Sequence, residues 1–151
     1  MKAAFQDVAV ADVMTPFDEL ETVTEDSSVA ELVERMFRER HTGYPVMKGE
    51  DLVGMVTLDD AREVREVERD AYTVGEVMSR DVASISPDAD AMEAITTMQQ
   101  HGVGRLPVVD DGQLVGLISR TDLMTAFNVI QSRGDVGGIG QQRDPSLSNV
   151  R

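Results

Sequence analysis

Shifting the chain by 62 positions lays residues 22–60 on residues 84–122 without a gap. Identical pairs include Asp26/Asp88, Met36/Met98, Pro45/Pro107, Val46/Val108, Leu52/Leu114, Gly54/Gly116 and Asp60/Asp122. Upstream, Val13-Met14-Thr15 resembles Val77-Met78-Ser79 once the first copy is allowed two extra residues. A repeat of this length is one supersecondary unit with an apolar face to cover. Two copies therefore cover each other, and the chain is expected to form two related halves about a pseudo-twofold axis.

Each copy reads as β-α-β-β-α, an α+β pattern. Val23 and Ile85 sit in short extended stretches. In copy one Ser28 and Glu31 have capping-box spacing, followed by Val29, Leu32, Val33, Met36 and Phe37 at helical intervals. In copy two Ser86 suits an N-cap and Pro87 the first helical position, with Ala91, Met92, Ile95 and Met98 as the apolar stripe. Strands follow at residues 44–47 and 106–109, then turns, then strands at 52–56 and 114–118, each pair a hairpin with a Gly-containing turn. A last helix opens at Thr57 or Ser119. It is expected to reach Arg69 in copy one with Ala61, Val64 and Val67 inward. In copy two Leu123, Ala126, Phe127 and Ile130 take that role. Residues 5–10 read as strand. The boundaries are 8–70 and 71–131, with 132–151 a disordered tail.

The tandem arrangement resembles the CBS (cystathionine beta-synthase) domain family. Val-Met-Thr-Pro at 13–16, Val-Met-Ser-Arg at 77–80, Gly-Tyr-Pro-Val at 43–46 and Arg-Leu-Pro-Val at 105–108 carry the likeness. Most specific are Gly-Met-Val-Thr-Leu-Asp-Asp at 54–60 and Gly-Leu-Ile-Ser-Arg-Thr-Asp at 116–122. Residues 11–127 also look like CBS pairs behind membrane-embedded site-2-type metalloproteases of halophiles. The resemblance implies a non-enzymatic regulatory module that binds AMP, ADP, ATP or S-adenosylmethionine in clefts between the repeats. It implies a homodimer and a separate or covalently attached effector; the alternative is a ligand-free dimerisation or protein-interaction module. No cofactor is implied beyond the adenosine ligand.

The physics of the last motif supports that reading. A helix start offers N–H groups and a positive partial charge to phosphate, and a carboxylate one turn on can accept from two vicinal hydroxyls, as acidic residues do with ribose. Thr57 with Asp60, and Ser119 with Asp122, would fill these roles. The resemblance sets adenine against Thr22-Val23 and Ser84-Ile85, and beside Pro45 and Pro107, where Tyr44 stands. Arg105 and Arg120 flank the second motif where the first has Gly43 and Leu58, so copy two is expected to be the better phosphate site. The same spacing makes a capping box, which needs no ligand.

Composition narrows the remaining classes. Cys is absent, which excludes disulfides and thiolate chemistry and fits a reducing, cytoplasmic setting. Trp is absent too, so Val, Leu, Ile, Ala and nine Met must fill the core. No run approaches about eighteen apolar residues, so no membrane insertion is expected. No nucleophile elbow, P-loop or metal motif occurs; His41 and His101 have no ligand partner at suitable spacing. The formal charge of −14 repels nucleic-acid phosphate. Only Lys2 and Lys48 are lysines among the fourteen basic residues, a balance typical of proteins from high-salt cytoplasms.

Self-repulsion at this net charge destabilises a compact chain, and the Debye length shrinks from about 10 Å at 0.1 M salt to about 3 Å at 1 M. The melting temperature should therefore rise steadily as KCl is raised across that range. A flat or falling profile in scanning calorimetry would contradict the halophilic reading.

Overall fold

The computed structural model of the chain describes residues 7–138. The elements run α1 (Val10–Val13), β1 (Thr15–Pro16), β2 (Val23–Thr24), α2 (Val29–Glu39), β3 (Gly43–Lys48), β4 (Asp51–Thr57) and α3 (Leu58–Arg62). Then come α4 (Val74–Val77), α5 (Ala91–His101), β5 (Arg105–Asp110), β6 (Gln113–Ser119) and α6 (Arg120–Gly138). Short 3-10 turns at Phe17–Glu19 and Glu66–Glu68 complete the set.

Two three-stranded sheets form, β2-β3-β4 and β1-β6-β5. Each is built on a hairpin closed by a two-residue turn. Gly49 takes a left-handed φ of 63° in the first, and Asp111 and Gly112 take 54° and 79° in the second. Positive φ at the first turn residue, and at both in the second hairpin, matches the right-handed twist of the strands. β2 lies parallel to β3 through Val23 and Val46, and Ile85 bridges Val108 in the same sense. β4 and β6 meet where the two halves join.

The halves exchange their leading segments. Thr15 and Pro16 pair with Leu117 and Gly116 of copy two, while Ser79 bridges Met55 of copy one. α1 follows: Val10, fully buried, lies in the second core beside Ile85 and Leu123, with Val13 and Met14 packed against it. Val74, also fully buried, lies in the first core with Met78. Backbone bonds repeat the swap, from Val10 N–H to the Ala89 carbonyl and from Val74 N–H to the Ser27 carbonyl, both at 2.8 Å. Full burial of one such Val is worth about 1.5–3 kcal/mol, so each core depends on a segment from the other side.

Several local expectations hold. Ser28 and Glu31 form the full capping box of α2. Others are revised. Residues 5 and 6 lie outside the described residues, and Val10 opens a helix rather than extending a strand. α5 begins at Ala91, capped by Asp90, whose carboxylate accepts from Met92 N–H at 3.0 Å; Ser86 instead accepts from Asp88 N–H in the preceding turn. Asp90 is the repeat equivalent of Ser28. The later start leaves Ala91, Ala94 and Met98 inward and Met92 exposed.

The last helix of copy one stops at Arg62, and the 3-10 turn that follows points Val67 into solvent at 80% exposure, while Val64 stays buried. In copy two α6 continues to Gly138, through the first seven positions of the expected tail. Each Gly costs only about 1 kcal/mol in a helix that is already propagating. Residues 139–151 lie outside the described residues. No described helix is long and apolar enough to cross a membrane.

A Cβ at Gly54 would fall 2.6 Å from the Ser79 carbonyl oxygen, and one at Gly116 would fall 2.7 Å from that of Thr15. Gly54→Ala and Gly116→Ala should each destabilise by about 1–3 kcal/mol, read in urea unfolding. Gly104→Ala is the control, because nothing lies within 4 Å of a Cβ there. Equal stability of all three would refute the crossing as the reason for these glycines.

Candidate functional site

Both hairpins end in a hydroxyl residue that caps the next helix. Thr57 N–H and its hydroxyl donate to Asp60 Oδ2 at 2.8 and 3.2 Å, and Asp60 N–H donates to Thr57 Oγ1 at 3.3 Å. In copy two Asp122 N–H donates to Ser119 Oγ at 3.0 Å, and Ser119 N–H to Asp122 Oδ2 at 3.4 Å. The loop before each hairpin adds a second latch: Leu58 N–H donates to the Thr42 carbonyl at 2.9 Å and Arg120 N–H to the Gly104 carbonyl at 2.8 Å. Two N–H groups at each helix start are thus already satisfied. Phosphate binding here leans on side-chain cations more than the motif alone suggests.

A cavity of about 620 Å³ opens at the first motif, a size that suits a small organic ligand. Copy one contributes Thr42, Met55, Thr57, Leu58, Asp59 and Asp60 to its wall. Copy two contributes Ser79, Asp81, Val82 and Ala83 from the strip after α4, and the turn from His101 to Arg105. The exchange explains this: the bridge between Ser79 and Met55 draws the chain that follows it across the mouth of the first motif.

Arg105 is the unexpected member. The sequence groups it with the second motif, yet its guanidinium lies against Gly43 of copy one, where a Cβ would collide with it. Its Nη2 donates to Thr42 Oγ1 at 2.8 Å. Gly43 and Arg105 are equivalent positions of the repeat, and the pseudo-twofold brings them together. Only one of the two can carry a long side chain. Arg105 forms no ion pair with a described residue. Burial strips water from it and lowers its pKa, though a guanidinium stays charged.

Of the other predicted residues, Ser119, Arg120 and Asp122 stand together at the end of the second hairpin, with the 3-10 turn Phe17–Glu19 beside β6. Arg120 is exposed and donates to the Val103 carbonyl at 3.3 Å. Ser84 is exposed, and the Thr22 carbonyl accepts from Arg35 at 2.8 Å. Val23, Ile85 and Tyr44 are core residues off the cavity wall. Tyr44 is 1% exposed and its hydroxyl donates to Glu39 at 2.9 Å. Burial, then the bond to Glu39, raises the Tyr44 pKa. Burial opposes ionisation of Glu39, but hydrogen bonds from Arg35 and Tyr44 outweigh it and hold the carboxyl below its usual range. Sequence reading missed Met55, Ser79, Asp81, Val82 and Ala83 as wall residues; only the exchange brings them there. His101, an exposed residue, also lines the cavity.

Two capped hairpins, with a cleft between the repeats at the first of them, define a paired-repeat module. A family model described as CBS domain matches residues 10–66 and again 74–129, and the chain belongs to that family. It is 34% identical over 117 residues to the CBS domain-containing protein YhcV of Bacillus subtilis, covering 76% of this chain and 82% of that one. It is 34% identical to an inosine-5'-monophosphate dehydrogenase of Methanocaldococcus jannaschii over 78% of this chain and 28% identical to a zinc metalloprotease of that organism over 90%. The chain spans only 23% and 37% of the length of those two relatives. Among solved structures, CBSX2 in complex with AMP superposes with a TM-score of 0.71 at 29% identity, covering 82% of this chain and 98% of that one. A putative acetoin utilization protein, AcuB of Vibrio cholerae, superposes at 0.74 and 28% identity, covering 84% and 96%.

The caps work without any ligand. Thr57→Ala and Ser119→Ala should each lower stability of the ligand-free chain by about 1 kcal/mol, with the denaturant slope unchanged. No loss in either variant would show that these hydroxyls are not structural.

Proposed function

We propose that the chain is a regulatory module that binds an adenosine-containing nucleotide in the cleft between its repeats and relays occupancy to an effector. One observation carries this reading: Arg105, half-buried and in no ion pair with a described residue, lines the same cavity as Thr57 and Asp60. A half-buried guanidinium bonded only to the Thr42 hydroxyl has N–H donors to spare, and a ligand phosphate would accept from them bidentately. Asp60 uses Oδ2 in its cap, and a carboxylate offers about four acceptor sites, so capacity for ribose hydroxyls remains. AMP in the related CBSX2 structure supports the ligand class.

The reading shifts the favoured site from the second motif to the first, because Arg105 serves the first. Ser119, Arg120 and Asp122 remain a second candidate site. Attachment to an effector is supported by the metalloprotease relative, of which this chain matches only a part. The proposal includes a cytoplasmic setting, and a homodimer through the helices, where Phe37 of α2 is 71% exposed. Caps that are complete without ligand favour the competing reading, a ligand-free interaction module.

Calorimetric titration with AMP in molar KCl separates the two. AMP should bind the parent chain. Asp60→Ala should weaken it by the value of one charge-assisted bond, about 1.5–3 kcal/mol, roughly ten- to a hundred-fold. Asp122→Ala should change this site little. If no adenosine ligand binds, the interaction module is the better account.

A further inference from the structure

Resting on that reading, the cavity also carries information about how much charge its ligand bears. Among the described lining residues Arg105 is the one permanent cation. Asp59, Asp60 and Asp81 line the same wall. Asp59 is paired with Arg62 at 3.2 Å, and Asp60 is held by its cap; Asp81 is exposed, with no cation beside it on the lining. We infer that this cavity selects an adenosine ligand with a single phosphate, and discriminates against the same nucleoside carrying a polyphosphate chain or a net positive charge.

The reasoning is a count of charges. One guanidinium presents a fork that matches one phosphate group bidentately. A second and third phosphate would find no further cation on the lining and would face carboxylates, within a chain of formal charge −14. The early N–H groups of α3 make up little of the deficit, since those of Leu58 and Asp60 are engaged. A cationic ligand such as S-adenosylmethionine would suit the carboxylates but leave the half-buried Arg105 without an anion and facing a like charge. Gly43 leaves the guanidinium room against copy one, so the selecting charge is fixed by two equivalent positions of the repeat.

The test is titration of the whole chain with adenosine, AMP, ADP, ATP and S-adenosylmethionine, free of divalent cations. It is run at the lowest salt that keeps the chain folded and again in molar KCl. AMP should bind at least about tenfold more tightly than ATP and than adenosine at low salt, with ADP between. The gap to ATP should narrow in molar KCl, where repulsion is screened, and in Asp81→Asn. Arg105→Gln should bring AMP down to adenosine, and Arg105→Lys should restore part of the difference. ATP or S-adenosylmethionine binding as tightly as AMP at low salt would overturn the inference while leaving the module a nucleotide binder. No binding by any of the five would overturn both.

Discussion

Two backbone crossings hold this molecule together. Met14 and Thr15 pass over Gly116, and Met78 and Ser79 pass over Gly54, each with the methionine sulfur and a carbonyl oxygen where a Cβ would otherwise sit. Neither glycine is needed for its own torsion angles, since neither has a positive φ. Both are needed for space. The crossings let each leading segment pair with the opposite hairpin and place a fully buried Val in the opposite core. Neither half can complete its core alone, so the two fold as one unit although each has its own sheet.

The cavity is a product of the same exchange. Once Ser79 pairs with Met55, the residues after it must run past Thr57 and Asp60, and the far wall of the site comes from the other repeat. A cleft built this way joins two halves through whatever occupies it. Occupancy can then change how firmly they hold together, which is the physical requirement for a regulatory module. The pseudo-twofold is broken at the edge of the cavity. Gly43 and Arg105 face each other, and a single long side chain fills the space between them.

Much of this was legible in the sequence. The ungapped repeat gave two α+β halves, and Ser28 with Glu31, Gly49, and Asp111 with Gly112 marked a helix start and two turns by local chemistry. The hydroxyl-carboxylate spacing at 57/60 and 119/122 was visible as both cap and binding motif. Misreadings arose where a local signal competed with the repeat itself. Ser86-Pro87 is a plausible helix start, yet Asp90, aligned with Ser28, is the true cap, because Ala91, Ala94 and Met98 must face the second core. Val67 fits a helical stripe, but the helix ends at Arg62 and nothing covers that face.

What the sequence alone determined is therefore what is encoded within some ten residues, namely strand and helix periods, turn residues and caps, together with the duplication that makes one unit cover another. It could not decide which leading segment pairs with which hairpin, because two near-identical segments fit either partner by local pattern. Nor could it decide that Arg105 belongs to the Thr57 and Asp60 cavity. That assignment depends on a contact between residues 43 and 105, equivalent in the repeat and remote along the chain. Only packing about the pseudo-twofold brings them together, and the absent side chain of Gly43 is what lets the Arg105 guanidinium lie there.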